Sequence, residues 1–318
     1  MKSVILDVDT GIDDALALIL AAHRADDLDI LGVTTVAGNV GLAAATENTR
    51  AVLGLVGRAD VPVAAGAEGP LVRPLRTATT FHGPHGLGPL DPASLDVPRA
   101  ALVDECASEF LTRSARQRPG EVTIITTGPL TNVALALKAD SRLAGRLAEI
   151  VIMGGAVATA GNASPLAEAN FYNDPEAAEI VLGAGVPIVL VPLDVTEPVL
   201  VTRPRLEALR TSATGPASPI VDFAVSILEF YLHAVEQYGR DGCALHDPLA
   251  VLLAFRPDLA ELTPLAMHIA TDDPLTAGSC VVDRRLRSAL RPPEPSNVRS
   301  ATRVRIDACR ELILEAIR

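Results

Sequence analysis

The chain has 318 residues, of which 49% are hydrophobic and 21% charged, and its net charge at pH 7 is −12. This is the composition of a folded protein, and the acidic balance argues against nucleic acid as a partner, because a phosphate backbone requires a basic surface. The four cysteines form no CxxC pair, so neither a zinc site nor a disulfide framework is indicated.

The N-terminal stretch "MKSVILDVDTG" has one lysine and a short apolar run that aspartates interrupt, which is unlike a secretory signal peptide. No apolar stretch approaches the ~18 residues that a membrane-spanning helix requires. We therefore expect a cytoplasmic protein without a membrane partner. No linker, repeat or low-complexity tract divides the chain, so residues 1–318 are predicted to form a single domain.

Short apolar runs alternate with helical patterns along the first two thirds of the chain. The runs are rich in Val and Ile and cover residues 3–9, 29–38, 121–128, 149–155 and 186–194. The segments between them predict helices over 13–23, 41–57, 101–117, 131–139 and 175–183. Runs that are apolar on both faces are typical of central parallel strands. The pattern therefore predicts an α/β fold with an open, mostly parallel central sheet flanked by helices.

Three segments interrupt this alternation. Residues 73–98 are rich in Gly, Pro and His, residues 159–174 are polar, and both predict loops, which in a compact domain are often functional. Residues 196–247 predict a helical region. The C-terminal part is predicted to be a small extension, with short strands near 277–283 and 300–306 before a final amphipathic helix.

Polar or glycine residues follow each of the five apolar runs. These residues are Asp9, Gly38 with Asn39, Thr127 with Gly128, Gly154 with Gly155, and Asp194. In open α/β sheets, ligands bind beyond the carboxyl ends of the strands. We therefore expect the five strand ends to share one site.

The first strand end carries four aspartates in eight positions, namely Asp7, Asp9, Asp13 and Asp14. Helix capping could explain Asp13 or Asp14, which open a helix. It cannot explain Asp7 and Asp9, which lie in or directly after an apolar strand. Several buried carboxylates need compensation, and a hard divalent cation with oxygen ligands is the natural source of it.

Two other aspartate motifs fit less well. An EF-hand that begins at Asp7 fails, because Ile12 and Leu18 stand where the loop needs Gly and Glu. The opening Asp-x-Asp also resembles the phosphatases of the haloacid-dehalogenase type. That family has Thr or Val at the position where Gly11 stands here. It also needs a lysine to bind the phosphoryl oxygens, and Lys138 is the single internal lysine in the sequence. This phosphatase stays as a remote alternative.

The stretch "DVDTGIDDA" resembles the N-terminal signature of the nucleoside hydrolases, of the inosine-uridine preferring N-ribohydrolase type. Other segments resemble that family in the same order: "GVTTVAGN" (32–39), "TTGPLTNVALAL" (126–137), "VIMGG" (151–155), "GNASPLAEANFYNDPEAAEIV" (161–181) and "LHDPLAV" (245–251). The resemblance extends from residue 3 to about residue 255, with a weaker echo at 281–283 and in the last helix.

The resemblance implies Ca²⁺-dependent hydrolysis of the N-glycosidic bond of ribonucleosides to ribose and a free purine or pyrimidine base, in nucleoside salvage. It implies a metal-bound water activated by Asp9 as general base, and His246 as the acid for the leaving base. The implied metal ligands are Asp9, Asp14, Asp247 and the backbone carbonyl of Thr127, with Asp7 near the metal without binding it. The implied substrate contacts are Asp13, Asn39 and Asn170 for the 2′- and 3′-hydroxyls, Asn162 and Glu168 for the 5′-hydroxyl, and Met153 under the sugar.

The chemistry of the bond agrees with this set of residues. Its cleavage develops positive charge on the ribose, which carboxylates stabilise, and negative charge on the base, which a histidine can neutralise. A small-molecule nucleoside is thus the expected partner, and we expect a homodimer or homotetramer.

The base side of the site is less well defined by the sequence. Tyr231 and Tyr238 are candidates for aromatic contacts, and His82 or His85 could face the base from the loop at 73–98. Tryptophan is absent, which excludes a sandwich of the base between indoles. Ala169 stands where many members of the family have an aromatic residue near the ribose.

Three alternatives remain open from the sequence. The chain could bind nucleosides without hydrolysing them, or it could hydrolyse a modified or non-ribose glycoside, which Ala169 would allow. Asp247, followed by Pro248, could also be a helix cap rather than a ligand.

Overall fold

The computed structural model describes residues 1–212, 218–283 and 296–318. These residues form thirteen strands: β1 (Lys2–Val8), β2 (Leu28–Thr35), β3 (Val63–Ala65), β4 (Leu102–Val103), β5 (Val122–Thr126), β6 (Leu147–Met153), β7 (Ile188–Val191), β8 (Leu200–Thr202), β9 (Gly242–Ala244), β10 (Ala260–Pro264), β11 (Met267–Ile269), β12 (Cys280–Val282) and β13 (Val298–Val304). They also form twelve α-helices: α1 (Ile12–His23), α2 (Leu42–Leu55), α3 (Thr79–His82), α4 (Ala107–Gln117), α5 (Thr131–Ala139), α6 (Ala169–Asn173), α7 (Pro175–Leu182), α8 (Leu193–Thr196), α9 (Arg203–Ser212), α10 (Pro219–Glu236), α11 (His246–Phe255) and α12 (Ile306–Glu315). No helix in the described ranges is long and apolar enough to cross a bilayer.

A nine-stranded sheet, in the order β10-β13-β7-β6-β5-β1-β2-β3-β4, forms the centre of the molecule. Its strands are parallel except for β10, which pairs antiparallel with β13 at one edge. The predicted open, mostly parallel sheet is therefore confirmed. The five apolar runs become β1, β2, β5, β6 and β7, which lie together in its middle. Their continuous burial explains why their sequences do not alternate.

The structure differs from the sequence prediction mainly at the edges of the sheet. The helix predicted over 101–117 begins only at Ala107, because Leu102–Val103 form the edge strand β4. Residues 196–247 are not helical throughout, since β8 and β9 pair there as a separate antiparallel ribbon. These strands have two or three residues each, which is too short for any periodicity to appear in the sequence.

Two apolar layers cover the faces of the sheet. One contains α1, α10, α11 and α12, and the other contains α4, α5 and α7. Helix α1 is buried on nearly all sides and packs against α11. Both helices begin at the carboxyl end of the sheet, so this contact brings their first turns together.

Candidate active site

A cavity of about 600 Å³ opens beyond the carboxyl ends of the central strands. Residues that follow or end four of the five predicted strands line it, namely Asp9, Asn39, Thr127 and Met153; the two glycines predicted for the fourth end, Gly154 and Gly155, do not line it. The fifth, Asp194, does not line the cavity. Its carboxylate accepts hydrogen bonds from the backbone N–H groups of residues 157 and 158, at 2.8 and 2.6 Å. The expectation of one site shared by five strand ends is therefore right for four strands and wrong for the last.

Three buried carboxylates lie close together at this cavity, and two of them, Asp13 and Asp247, line it. Oxygens of Asp13 and Asp14, from the first turn of α1, lie within 4.8 Å of one another and of an oxygen of Asp247, from the first turn of α11. Burial and the neighbouring carboxylates raise the pKa of Asp13 to about 7 and that of Asp247 well above its usual value. Such a set is unstable as three unpaired anions, and it fits a cation with oxygen ligands.

Two oxygens at the site have no hydrogen-bond partner in the part of the chain that the structure describes. They are Oδ1 of Asp9 and Oδ1 of Asp13, and both are buried. The other Asp9 oxygen accepts the backbone N–H of Asn39 at 2.6 Å. Buried acceptors without donors are costly unless something positive approaches them. The resemblance assigned Asp9 to the metal and Asp13 to the ribose; in the structure Asp13 belongs to the group of three carboxylates whose oxygens lie within 4.8 Å of one another.

The two capping interpretations have different outcomes. Asp14 is the third residue of α1, and its Oδ2 accepts the Gly11 N–H at 2.9 Å while its Oδ1 accepts the Thr127 hydroxyl at 2.7 Å. It therefore caps the helix and belongs to the carboxylate group at the same time. The capping alternative for Asp247 is wrong, because the residue before α11 is Leu245 and no side-chain cap bond forms there.

Asp7 lies behind the cavity rather than in its wall. Its Oδ1 accepts hydrogen bonds from the Thr34 hydroxyl at 2.5 Å and from Nδ2 of Asn132 at 2.8 Å. Burial raises its pKa to about 6. Asn132, which also donates to the Thr35 carbonyl at 2.9 Å, was not predicted from the sequence. One buried amide on an otherwise apolar helix face was the available signal.

The residues assigned to the ribose come from the segment around α6. Asn170 donates through Nδ2 to the carbonyls of Thr127, at 2.7 Å, and Met153, at 3.1 Å. The Glu168 carboxylate caps α6 by accepting the N–H groups of residues 170 and 171, at 2.7 and 3.2 Å, and it also accepts the N–H of residue 155 at 2.9 Å. Asn162 lies exposed at the rim, where its Oδ1 accepts the Ala169 N–H at 2.9 Å.

Two buried histidines line the cavity. His246 Nδ1 is 2.8 Å from the Thr196 hydroxyl, and His82 Nδ1 accepts the backbone N–H of Ile12 at 3.0 Å. Desolvation lowers the pKa of each ring to about 4. Both rings are therefore neutral at pH 7.

Aromatic residues form the wall near the histidines. The ring of Tyr231 stacks on that of His82, with ring centroids 6.0 Å apart. The ring centroids of Tyr238 and Phe81 are 5.4 Å apart. His85 is exposed and is absent from the lining of the cavity. The lining also includes Val235, which was not predicted from the sequence, although it lies one helical turn after Tyr231 on α10 and that spacing could have revealed it.

The chain matches the family model described as inosine-uridine preferring nucleoside hydrolase over residues 4–311. It is 37% identical to the inosine-uridine preferring nucleoside hydrolase of Leishmania major, over 96% of this chain and 93% of that protein. It is 40% identical to the pyrimidine-specific ribonucleoside hydrolase RihA of Citrobacter koseri, over 88% of each chain. Among solved structures, a plant nucleoside hydrolase, PpNRh1, superposes with a TM-score of 0.90 at 33% identity, covering 99% of this chain and 98% of that one.

Proposed function

The chain belongs to the inosine-uridine preferring nucleoside hydrolase family and is a hydrolase of ribonucleoside N-glycosyl bonds, and from this premise we propose a Ca²⁺-assisted hydrolysis with Asp9 as general base. The observation that carries the proposal is the meeting of three buried carboxylates within 4.8 Å, of which Asp13 has an oxygen without a partner, as does the nearby Asp9. Membership of the family also makes the phosphatase alternative wrong.

The residues that would hold the cation are Asp14, Asp247, Asp9 and the Thr127 carbonyl, with Asp13 directly beside them. The set consists of oxygen donors alone, and neither thiolate nor imidazole belongs to it, which favours Ca²⁺ over the softer transition metals. When bound, Ca²⁺ supplies charge compensation for the carboxylates and lowers the pKa of a coordinated water.

Asp9 is placed to accept a proton from the attacking water. One of its oxygens is fixed by the Asn39 N–H and the other is free of protein partners in the described ranges, so the free oxygen is the proton acceptor. The surrounding carboxylates would stabilise the positive charge that develops on the ribose.

Asp13, Asn39 and Asn170 would bind the 2′- and 3′-hydroxyls, and Glu168 with Asn162 the 5′-hydroxyl. On the opposite side of the bond, His246 would donate a hydrogen bond into the charge that forms on the departing base. The lowered pKa of about 4 keeps this ring neutral, so it acts through its N–H group.

We also propose that uridine is among the substrates. One relative above carries "inosine-uridine preferring" in its name and another "pyrimidine-specific", and uridine is the nucleoside that both descriptions share. Tyr231, which lines the cavity beside His82, would contact the base. Binding without hydrolysis is the competing function, and it is disfavoured because each proposed metal and ribose position carries a competent side chain.

Ribose release tests the proposal directly. The protein would be assayed in parallel with uridine, inosine, cytidine, adenosine and guanosine, before chelation, after exhaustive chelation and after Ca²⁺ is restored. We expect activity on uridine that chelation abolishes and Ca²⁺ restores. Full activity in a sample that elemental analysis shows to be metal-free would contradict the metal assignment, and tight uridine binding without ribose release would favour the binding function.

A further inference from the structure

Thr196 is a buried residue that none of the roles described above uses. It is the last residue of α8, the short helix that follows the central strand β7, and it is 0% exposed. Its hydroxyl oxygen lies 2.8 Å from Nδ1 of His246, a residue 50 positions later in the chain. The contact joins the end of α8 to the first turn of α11.

The direction of this hydrogen bond follows from the partners of the hydroxyl. Within the described ranges, His246 Nδ1 is the single hydrogen-bond partner of the Thr196 hydroxyl. If Nδ1 carried the proton and donated it to the oxygen, the buried hydroxyl hydrogen would have no acceptor. An unsatisfied buried donor destabilises the folded protein, because its hydrogen bond to water is lost without replacement. The hydroxyl therefore donates to Nδ1, and the proton of the neutral imidazole stands on Nε2.

The second histidine of the cavity shows the same arrangement with a donor of fixed direction. His82 Nδ1 is bonded to the backbone N–H of Ile12, which can only donate, so that ring also carries its proton on Nε2. Both imidazoles line the cavity while Nδ1 is bonded to protein. In both rings the protonated nitrogen is therefore Nε2, which is on the other side of the ring from the bonded Nδ1.

We propose that Thr196 is a positioning residue for the hydrolysis, which holds the His246 ring in the tautomer and orientation that present Nε2–H to the departing base. This inference rests on the role given to His246 in the proposed function. Without the Thr196 hydroxyl, nothing described at Nδ1 fixes the ring, and a tautomer with its lone pair on Nε2 would repel the negative charge that the base acquires.

The test compares variants that differ by one hydroxyl. Thr196→Val keeps the shape and removes the donor, whereas Thr196→Ser keeps the donor. Thr112→Val is the matched control, because that threonine donates to the Ser108 carbonyl on α4, away from the cavity. Each variant would be assayed on uridine and on p-nitrophenyl riboside, whose phenolate leaves without a hydrogen bond from the protein.

For Thr196→Val we expect kcat on uridine to fall at least about tenfold, with KM for uridine and activity on the p-nitrophenyl compound nearly unchanged. Thr196→Ser should restore most of the uridine activity, and Thr112→Val should match the wild type on both substrates. Unchanged uridine activity in Thr196→Val, or equal losses on both substrates, would overturn the inference.

The tautomer can be read without any turnover. In ¹⁵N-histidine-labelled protein, the two-bond ¹⁵N–¹H couplings of the His246 ring, assigned with His246→Ala, should show Nε2 protonated in the wild type. Protonation on Nδ1 would overturn the inference while leaving the proposed hydrolysis intact. A His246→Ala variant that retains full uridine activity would instead remove the role of His246 from the proposed function, and this inference with it.

Discussion

Single carboxylates in this cavity perform two tasks at once. Asp14 caps the first turn of α1 through the Gly11 N–H and also contributes an oxygen to the group with Asp13 and Asp247. Asp9 divides its oxygens, since one accepts the Asn39 N–H and the other has no partner in the described ranges. Asp7 by contrast is held by Thr34 and an amide and does not reach the cavity. Asp7, Asp9 and Asp14, three of the four aspartates in one short stretch, should therefore respond differently to substitution.

Exchanging carboxylate for amide at Asp9 and at Asp7 should separate their roles. Asp9→Asn removes the proton acceptor, and we expect kcat on uridine to fall by ~10²–10⁴. Asp7→Asn should reduce kcat by less than about tenfold, because its oxygen can still accept from Thr34. Steady-state kinetics with matched metal content decide between them. Equal losses in the two variants would mean that Asp9 has no role in proton transfer.

Removal of the 2′-hydroxyl should be costly if Asp13 and Asn39 read it. A substrate without that hydroxyl leaves buried polar groups unpaired, which can discriminate by ~10⁴ or more. We expect kcat/KM for 2′-deoxyuridine to be lower than that for uridine by such a factor. Comparable values for the two nucleosides would show that the ribose contacts have been assigned to the wrong residues.

The short helix α6 organises one side of the cavity. Glu168 caps its first turn and also accepts the N–H of Gly155, which follows β6 with a φ of 78°. A side chain at Gly155 would be strained at that φ, and its Cβ would lie 2.8 Å from Sγ of Cys280 and 2.9 Å from the ring of Phe171. The cap thus fixes the loop after β6 relative to Asn170, which in turn bonds the Thr127 carbonyl.

Glu168→Ala should therefore affect more than the 5′-hydroxyl. Loss of a cap costs about 1 kcal/mol, so we expect a lower midpoint of thermal unfolding and at least a tenfold loss of kcat/KM on uridine. The loss should persist on 5′-deoxyuridine, which lacks the group that Glu168 is proposed to bind. If the variant and the wild type cleave 5′-deoxyuridine equally well, Glu168 acts through the hydroxyl alone and the cap is dispensable.

At the scale of the whole molecule, the net charge of −12 is concentrated in part at one buried site. In the absence of a cation, burial raises the pKa of Asp7 to about 6 and that of Asp13 to about 7, from 3.8. The same burial lowers the pKa of His82 and His246 from 6.5 to about 4. The carboxylates and the histidines therefore make the stability depend on pH in opposite directions.

The assembly into a homodimer or homotetramer stays a prediction.

The metal-free protein should lose stability as the pH rises from 6.5 through 7. A carboxyl with a raised pKa binds more protons in the folded state, so its contribution is present below pH 3.8 and is lost as the pH rises through the folded pKa, about 7 for Asp13. The two histidines contribute stability above pH 6.5 that is lost as the pH falls towards 4. Above pH 6.5 most of the histidine contribution is already present, so the carboxylates dominate the change, at up to roughly 1.4 kcal/mol per pH unit for each carboxyl.

Addition of Ca²⁺ should reverse this loss of stability with rising pH. A bound cation stabilises the ionised carboxylates, so that the histidines then determine how stability changes with pH. Thermal unfolding with and without Ca²⁺, at pH values between 5 and about 8, would measure it. The stabilisation by Ca²⁺ should grow with pH. An effect of Ca²⁺ that is zero at every pH would contradict the assignment of the cavity as a cation site.

The sequence by itself determined the central sheet and the strand ends that line the cavity. The five central strands are buried on both faces and therefore appear as continuous apolar runs, and the polar residues that follow them, such as Asp9 and Asn39, mark where the strands end. Because parallel strands bring their carboxyl ends to one edge, four of those ends could be assigned to one site from the order of the chain. The family resemblance added residues such as His246 and Glu168, which are isolated polar residues in their local sequence.

Only the tertiary structure decided which side chains share hydrogen bonds across distant segments. Thr196 and His246 are 50 positions apart, and Asn132 and Asp7 are 125 apart, and no local pattern relates the members of either pair. The two- and three-residue edge strands likewise form through pairing with neighbours rather than through their own propensity. Asp13 joins Asp14 and Asp247 because α1 packs against α11, and that contact depends on the apolar faces of both helices. Packing between elements therefore fixed the distances and the proton positions that the chemistry requires.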